Sequence, residues 1–200
     1  MRTVSVLLRH ELRLMESLVL WITRRTQGTG GGRAFGYARG QGVVMAGFLF
    51  VCVVETLGMS VLLRDWPLTH GVVLALDIYT VVFVVGMHAA SVVRPHVLEA
   101  GSLRVRRGVH VDVRIPLAQV ASVRRELRMT HRTTDGELNL PVGSQTTVTL
   151  QLTEPMTHFT FLGRQREVGT VRFHTDDADT LVAAVKQART VPSTSPGPPV

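Results

Sequence analysis

Cysteine, lysine and charged residues in general are scarce in this 200-residue sequence. Cys52 is the only cysteine, Lys186 is the only lysine, and charged residues make up 18% of the chain. A single cysteine excludes an intrachain disulfide framework and a cysteine-based zinc site. The eight histidines form neither an HExxH motif nor a pair four residues apart, and no G-x-S-x-G motif occurs. The sequence therefore predicts no metal site, no cofactor and no enzyme activity.

The whole chain has a formal net charge of +7, and most of its charged residues lie outside the middle segment. Residues 1–42 contain seven arginines against two glutamates, whereas residues 43–93 contain one arginine against three acidic residues. Residues 94–200 contain fourteen basic and ten acidic residues. This distribution indicates an apolar central segment between two basic ones.

Two long apolar runs occupy the central segment, at residues 43–63 and 71–93. Each run has the roughly 20 residues that an α-helix needs to cross a bilayer. The connection at residues 64–70 (RDWPLTH) supplies Trp66 for the headgroup region and Pro67 for a turn. The pattern predicts a transmembrane hairpin over residues 43–93. The alternative is a pair of buried helices in a soluble protein.

The arginines on either side of the hairpin predict its orientation. Seven arginines precede the first run and four follow the second within residues 94–107, while the short loop carries only Arg64 beside Asp65. Positively charged residues stay on the cytoplasmic side of a membrane. We therefore expect a multi-pass protein of the inner or plasma membrane with both termini in the cytoplasm.

The first 42 residues divide into a helical segment and a glycine-rich segment. Residues 1–25 have helical periodicity, with arginines on one face and an apolar stripe on the other, formed by Leu8, Leu12, Met15, Val19 and Ile22. We expect an amphipathic juxtamembrane helix that lies in the membrane interface or packs on the cytoplasmic domain. Residues 26–42 contain seven glycines, which predicts a flexible linker whose Arg33 and Arg39 face anionic lipid.

Beyond residue 94 the hydrophobic period changes to two, which is typical of half-buried antiparallel strands. The alternating segments are 102–107, 109–115, 120–129, 146–152, 158–162 and 168–175. Residues 176–189 have the pattern of an amphipathic helix with Asp176 as its N-cap, and the Pro/Ser-rich residues 190–200 predict a disordered tail.

These patterns together predict a membrane α-helical hairpin plus an α+β domain over residues 94–189. In that domain about six to seven antiparallel strands form a small β-barrel or sandwich, capped by one C-terminal helix. The sequence leaves the strand order around residues 130–145 open.

The stretch LRVRRGVHVDVRIPLAQVASVRR, preceded by Arg94 and Pro95, resembles bacterial membrane proteins that carry a pleckstrin-homology-like (PH-like) domain. The matching positions are residues 103–108, the Ile-Pro at 115–116, and Val120 with Val123. The ending VRFHTDDADTLVAAVKQA is similar to the last strand and capping helix of that family. The resemblance covers residues 43–189. It implies the family's fold and membrane topology, but no catalytic residue and no established ligand.

Three polar residues interrupt the apolar runs: Glu55 in the first, and Asp77 and Tyr79 in the second. The short loop holds the outer ends of the two helices together, so all three side chains fall at similar depth. A carboxylate at the bilayer centre costs roughly 2.5–3.5 kcal/mol. We therefore expect a hydrogen-bonded cluster that joins the helices. Proton or ion handling by the same residues is the alternative.

The outward strand faces of the domain carry a set of arginines: Arg104, Arg106, Arg114, Arg124, Arg128 and, in the last strand, Arg172. This basic surface suits anionic lipid headgroups or an acidic partner, although an ordinary solvated face has the same pattern. The aromatic residues Phe159, Phe161 and Phe173 fall on buried positions, so no exposed stacking platform for nucleic acid is expected.

We expect a membrane-anchored scaffold or regulatory module that presents a PH-like domain at the cytoplasmic membrane surface. Its partners are then the lipid bilayer and a protein that the sequence does not identify. The sequence leaves open whether the chain also forms a homo-oligomer. The competing interpretation is a small transporter or ion-pathway subunit, in which oligomerised hairpins use Glu55 and Asp77.

Overall fold

A computed structural model describes residues 2–129, 134–159 and 165–190, and gives no side-chain description for residues 2–10 and Phe159. The described residues form four α-helices and two four-stranded sheets, which is an α+β architecture. The helices are α1 (Arg2–Ile22), α2 (Gln41–Leu62), α3 (Pro67–Val93) and α4 (Ala178–Thr190). The strands are β1 (Arg33–Phe35), β2 (His96–Leu98), β3 (Ser102–Arg107), β4 (Val111–Pro116), β5 (Val120–Arg128), β6 (Gly136–Leu140), β7 (Thr146–Phe159) and β8 (Gln165–Phe173).

The chain divides into two compact units, each discontinuous in sequence. The helical unit comprises Met1–Gln27 and Ala38–Val93, and therefore contains α1, α2 and α3. The β-domain comprises Gly28–Tyr37 and Arg94–Val200, and contains all eight strands and α4.

Helices α2 and α3 are long and apolar enough to cross a membrane. Their bounds agree with the two predicted runs within a few residues. No residue of α2 is buried, and α3 buries only Gly86, Ala89, Ala90 and Val93. A core helix of a soluble protein would bury its apolar side chains, because that burial is what stabilises such a fold.

Helix α1 packs lengthwise against α3 and runs in the same direction. Leu14 and Leu18 of α1 lie against Gly86 of α3, and the Trp21 ring meets the His88 ring edge-on at 6.1 Å between centroids. Just beyond α1, the Gln27 amide donates to the carbonyl oxygen of Val93 at 2.8 Å. Helix α1 therefore belongs to the helical unit and is packed on α3 rather than on the β-domain.

The face of α1 that meets α3 is also not the apolar stripe that the periodicity indicates. Leu14 and Ser17 are fully buried, whereas Leu12, Val19 and Ile22 of the stripe are each at least 60% exposed. The helix therefore turns a mixed face towards its neighbour and its most apolar face outwards.

The core of the β-domain lies between the two sheets and α4. The first sheet has the order β1-β2-β3-β4 and is antiparallel throughout. The second has the order β5-β7-β8-β6, in which β6 pairs parallel with β8. Alternating residues of both sheets and the apolar face of α4 fill the core, among them Leu103, Ile115, Leu150, Phe173 and Leu181. The parallel β6–β8 pair departs from the all-antiparallel prediction.

The glycine-rich segment contributes a strand to the β-domain, so the prediction of a flexible linker over all of residues 26–42 is wrong. Strand β1 pairs with β2, with Phe35 opposite His96. Next to it, the carbonyl oxygen of Gly36 accepts hydrogen bonds from the Asp176 amide (2.9 Å) and the Thr175 hydroxyl (3.0 Å). Phe35 and Tyr37 are both buried.

Gly32 shows why a glycine is required at this point. A Cβ atom at Gly32 would lie 2.6 Å from the Val97 side chain and 2.8 Å from the Leu98 carbonyl oxygen. Both distances are shorter than van der Waals contact, so only a residue without a side chain allows the two backbones to approach this closely.

Smaller differences concern element ends. The segment predicted as a strand over residues 109–115 begins only at Val111, because residues 108–110 form a turn. The Asp177 carboxylate, rather than Asp176, caps α4 by accepting the Thr180 amide at 3.1 Å. The predicted burial of Phe159 and Phe161 lies outside the described side chains. Of the predicted tail at 190–200, Thr190 belongs to α4, and residues 191–200 lie outside the described residues.

The contribution of β1 can be tested with two soluble chains. Residues 28–37 joined to residues 94–190 by a flexible linker should be more stable than residues 94–190 alone, because the shorter chain lacks buried Phe35 and Tyr37. The register places position 37 opposite position 94, so a short linker closes the gap. We expect a difference of about 3 kcal/mol or more in the free energy of unfolding, measured by urea denaturation. Equal stabilities would contradict the placement of β1.

Candidate functional site

His96 is the centre of a buried polar cluster at the start of the β-domain. It lies on β2 with 1% of its surface exposed. Its Nδ1 accepts the Arg106 backbone amide at 3.1 Å, and its Nε2 lies 2.8 Å from the carbonyl oxygen of His174. Since Nδ1 accepts, Nε2 must carry the proton and donate, which defines a neutral ring. Burial, with a smaller contribution from Arg106, lowers the pKa of His96 to about 4.

Aromatic rings close this cluster on both sides. The Tyr37 ring packs on His96 with 4.8 Å between centroids, and Phe173 meets His96 edge-on at 4.9 Å. The Tyr37 hydroxyl accepts the Gly108 amide at 2.8 Å. A residue from before the hairpin is thereby fixed by residues from after it.

Arg106 does not belong to an outward basic surface, contrary to the sequence-based expectation. Its side chain is buried, where it donates to the Gly28 carbonyl oxygen at 3.2 Å and lies 3.6 Å from an Asp112 oxygen. The cause is β1: the segment beginning at Gly28 covers a strand face that would otherwise be exposed. Arg172 is also buried and pairs with Glu137. Glu137 has no pattern around it in the sequence that predicts this pairing.

The other four predicted basic residues are exposed or half-buried, and each is paired with a carboxylate. Arg104 donates two hydrogen bonds to Asp112, both at 2.6 Å. Arg114 pairs with Glu99, and Arg124 and Arg128 share Glu126. The surface is thus largely neutralised by its own acidic residues.

The pKa values of these carboxylates reflect the pairing. The Thr149 hydroxyl, together with Arg128 and Arg124, lowers the pKa of Glu126 to about 2. Burial alone would raise the pKa of Asp112, but the hydrogen bonds and charges of Arg104 and Arg106 outweigh it and lower that pKa. Arg114 lowers the pKa of Glu99. All three acids are therefore ionised at neutral pH.

The hydrogen bonds of the described residues do not join Glu55, Asp77 and Tyr79 into one cluster. The Tyr79 hydroxyl donates instead to Glu11 of α1 at 2.7 Å. Asp77 has one oxygen buried without a hydrogen-bond partner, and Glu55 is exposed on α2. Sequence reasoning missed Glu11 because a contact across 68 positions leaves no local pattern.

Within the part of the chain that the structure describes, no group of three or more His, Cys, Asp or Glu side chains is placed to hold a metal ion. Comparisons of the chain with protein-family models, curated proteins and solved structures found no match.

The neutral state of His96 predicts how the stability of the β-domain depends on pH. Its folded pKa lies below the ordinary value of 6.5, so the unfolded chain binds the proton more readily between pH 6.5 and about 4. Stability should therefore fall by about 2 kcal/mol between pH 7 and pH 5. The paired carboxylates act in the same direction, but only at lower pH.

The measurement is urea denaturation of the joined chain of residues 28–37 and 94–190 at both pH values. His96→Gln should remove most of the dependence, whereas His110→Gln, at an exposed position, should leave it unchanged. An equal pH dependence in His96→Gln and the unmodified chain would show that His96 is not the group responsible. Burial also lowers the pKa of His174 and that of His158, and these two histidines account for any remaining dependence.

Proposed function

We propose that the protein is an integral membrane protein in which the α2–α3 hairpin anchors the β-domain at the cytoplasmic membrane surface, where the domain acts as a scaffold or regulatory module. The observation that carries this proposal is the pairing of β1 with β2. These strands precede and follow the two apolar helices. They can pair only in one compartment, so the chain between them must cross a membrane an even number of times.

The exposure of the helices supports a lipid environment. No residue of α2 is buried, and Phe48, Phe50, Val54, Leu57 and Leu62 are among its exposed side chains. Contiguous apolar surface of this size is unfavourable in water and favourable in hydrocarbon. The excess of arginine on both flanks of the hairpin supports the cytoplasmic side for the β-domain.

The PH-like character of the β-domain is part of the proposal. Two packed sheets followed by one amphipathic helix, α4, agree with the predicted capped sandwich. The additional strand β1 and the parallel β6–β8 pair are departures from the prediction. Because the surface arginines are matched by carboxylates, the partner we propose for this face is a protein of mixed charge.

The packing of α1 leads us to propose that it enters the bilayer beside α3. Its outward stripe of Leu12, Val19 and Ile22 suits lipid, and its 21 residues span about 31 Å. Both of its acidic residues have partners within the helical unit: Glu11 is bound by Tyr79, and Glu16 by Gln27 at 2.7 Å. The exposed Arg13, near the middle of the helix, opposes insertion by about 2.5–3.5 kcal/mol. With α1 as a third crossing, the N-terminus lies on the outer side of the membrane, which replaces the expectation of two cytoplasmic termini.

The competing ion-pathway function requires Glu55 and Asp77 to act on one route. Among the described residues no hydrogen bond links them, and Glu55 faces outwards from the helical unit. A pathway would therefore need Glu55 to meet Asp77 of a neighbouring hairpin, whereas the scaffold function needs no such contact.

Topology is tested by cysteine labelling in intact cells, in a Cys52→Ala background. Asp65→Cys, in the short loop, should react with a membrane-impermeant maleimide, as should Thr3→Cys. Thr29→Cys and Ser195→Cys should react only after permeabilisation. If position 29 and position 195 differ in whether they react in intact cells, the proposed anchor is wrong. Protection of position 3 in intact cells, with the others as expected, would overturn only the insertion of α1.

Scaffold and ion pathway are separated by purifying the protein from its native membrane and identifying what accompanies it. The double variant Glu55→Gln and Asp77→Asn should retain the accompanying protein, whereas Val113→Asp, which places a charge in the core of the β-domain, should lose it. Membrane insertion of both variants is the control. Loss of cellular function in the double variant, with folding and partner retained, would favour the pathway instead.

A further inference from the structure

A cavity of about 450 Å³ lies where α1 and α3 end together within the helical unit. Its wall includes Trp21 and Ile22 of α1, Val92 and Val93 of α3, and Arg24 and Arg25, which follow α1 after Thr23. One part of the wall is thus apolar, and another part is formed by two arginines. Cavities of this size hold small ligands or the headgroup region of a larger one.

The backbone at the end of α1 brings both arginines to the cavity. Arg24 adopts a left-handed conformation, with φ of 54°. Its amide donates to the Trp21 carbonyl oxygen at 3.0 Å, and the Arg25 amide donates to that of Leu20 at 2.8 Å. This ending normally uses glycine, and another residue there costs about 1–3 kcal/mol. An arginine is therefore held at this position against its backbone preference.

The two arginines differ from the four exposed or half-buried arginines of the predicted basic surface in having no acidic partner. Among the side chains that the structure describes, no carboxylate pairs with Arg24 or Arg25, whereas Arg104, Arg114, Arg124 and Arg128 are all paired. Two neighbouring arginines without an acidic partner can bind a phosphate strongly, because each guanidinium group donates several hydrogen bonds to the phosphate oxygens.

We infer that this cavity binds the phosphate-bearing headgroup of an anionic phospholipid. Arg24 and Arg25 hold the phosphate, while Ile22, Val92 and Val93 contact the start of the acyl chains. Trp21 lies at the depth that this side chain prefers in a bilayer. The inference rests on the proposed membrane placement of α1 and α3. It identifies a class of lipid as the ligand, whereas the partner proposed for the β-domain surface is a protein.

The test uses the full chain in lipid nanodiscs. The chain has two tryptophans, and the Trp66→Phe substitution leaves Trp21 as the single fluorescent one. Trp21 fluorescence is measured with brominated phosphatidylglycerol in unbrominated phosphatidylcholine, and with the labels exchanged at the same lipid ratio. We expect the brominated anionic lipid to quench Trp21 at least twofold more strongly per molecule. Arg24→Gln with Arg25→Gln should remove that preference.

The matched control is Arg33→Gln with Arg39→Gln, which removes the same charge from the neighbouring glycine-rich segment and should keep the preference. An equal loss in both double variants would mean diffuse surface charge and overturn the site, as would the absence of any preference in the parent chain. Loss of the preference in the presence of millimolar glycerol 3-phosphate would assign the site to soluble phosphate esters, and would also overturn the lipid assignment.

The proposed function fails in a different way. If neither brominated lipid quenches Trp21, α1 does not enter the bilayer, and both the membrane placement of α1 and the lipid site are wrong. If both lipids quench Trp21 equally, the placement stands and the lipid site alone is wrong.

Discussion

The pairing of three residues before the hairpin with three residues after it is the constraint on which the rest of the structure depends. Strand β1 extends the first sheet, and the segment around it buries Arg106, presents Tyr37 to His96 and ties Gly36 to the start of α4. Each of these contacts joins chain segments that are separated by the two apolar helices. The β-domain is therefore complete only when both ends of the helical hairpin return to one place.

The sequence predicts well those elements whose signal is long and periodic. The two apolar runs appear as α2 and α3, the strict alternation at Val113 and Ile115 gives buried positions in β4, and the acidic start of α4 gives a helix. Such patterns report burial or lipid exposure residue by residue. Strands β1 and β2 have only three residues each, too few for alternation to be visible, and β1 lies in a glycine-rich stretch that reads as a flexible linker.

The candidate functional residues were less predictable, because their behaviour depends on partners that are distant in sequence. Arg106 occupies a position that alternation assigns to the outer face, yet a segment 78 residues away covers it. Tyr79 finds Glu11 rather than the nearby Asp77. Arg24 and Arg25 are distinguished only by contrast with the predicted basic surface, whose exposed arginines are each paired with a carboxylate. Charge counting identifies basic residues, but only the structure shows which of them are already neutralised.

The discontinuity of the β-domain also sets an order of events during synthesis. Phe35 leaves the ribosome 61 residues before its partner His96, which at ordinary elongation rates is about 3–12 s. During that time α2 and α3 emerge, and the glycine-rich segment has no sheet to join. Its low apolar content keeps it soluble while it waits. Strand β1 can pair with β2 only after α3 has been synthesised. A complete β-domain therefore forms only in chains whose two apolar helices have both been made.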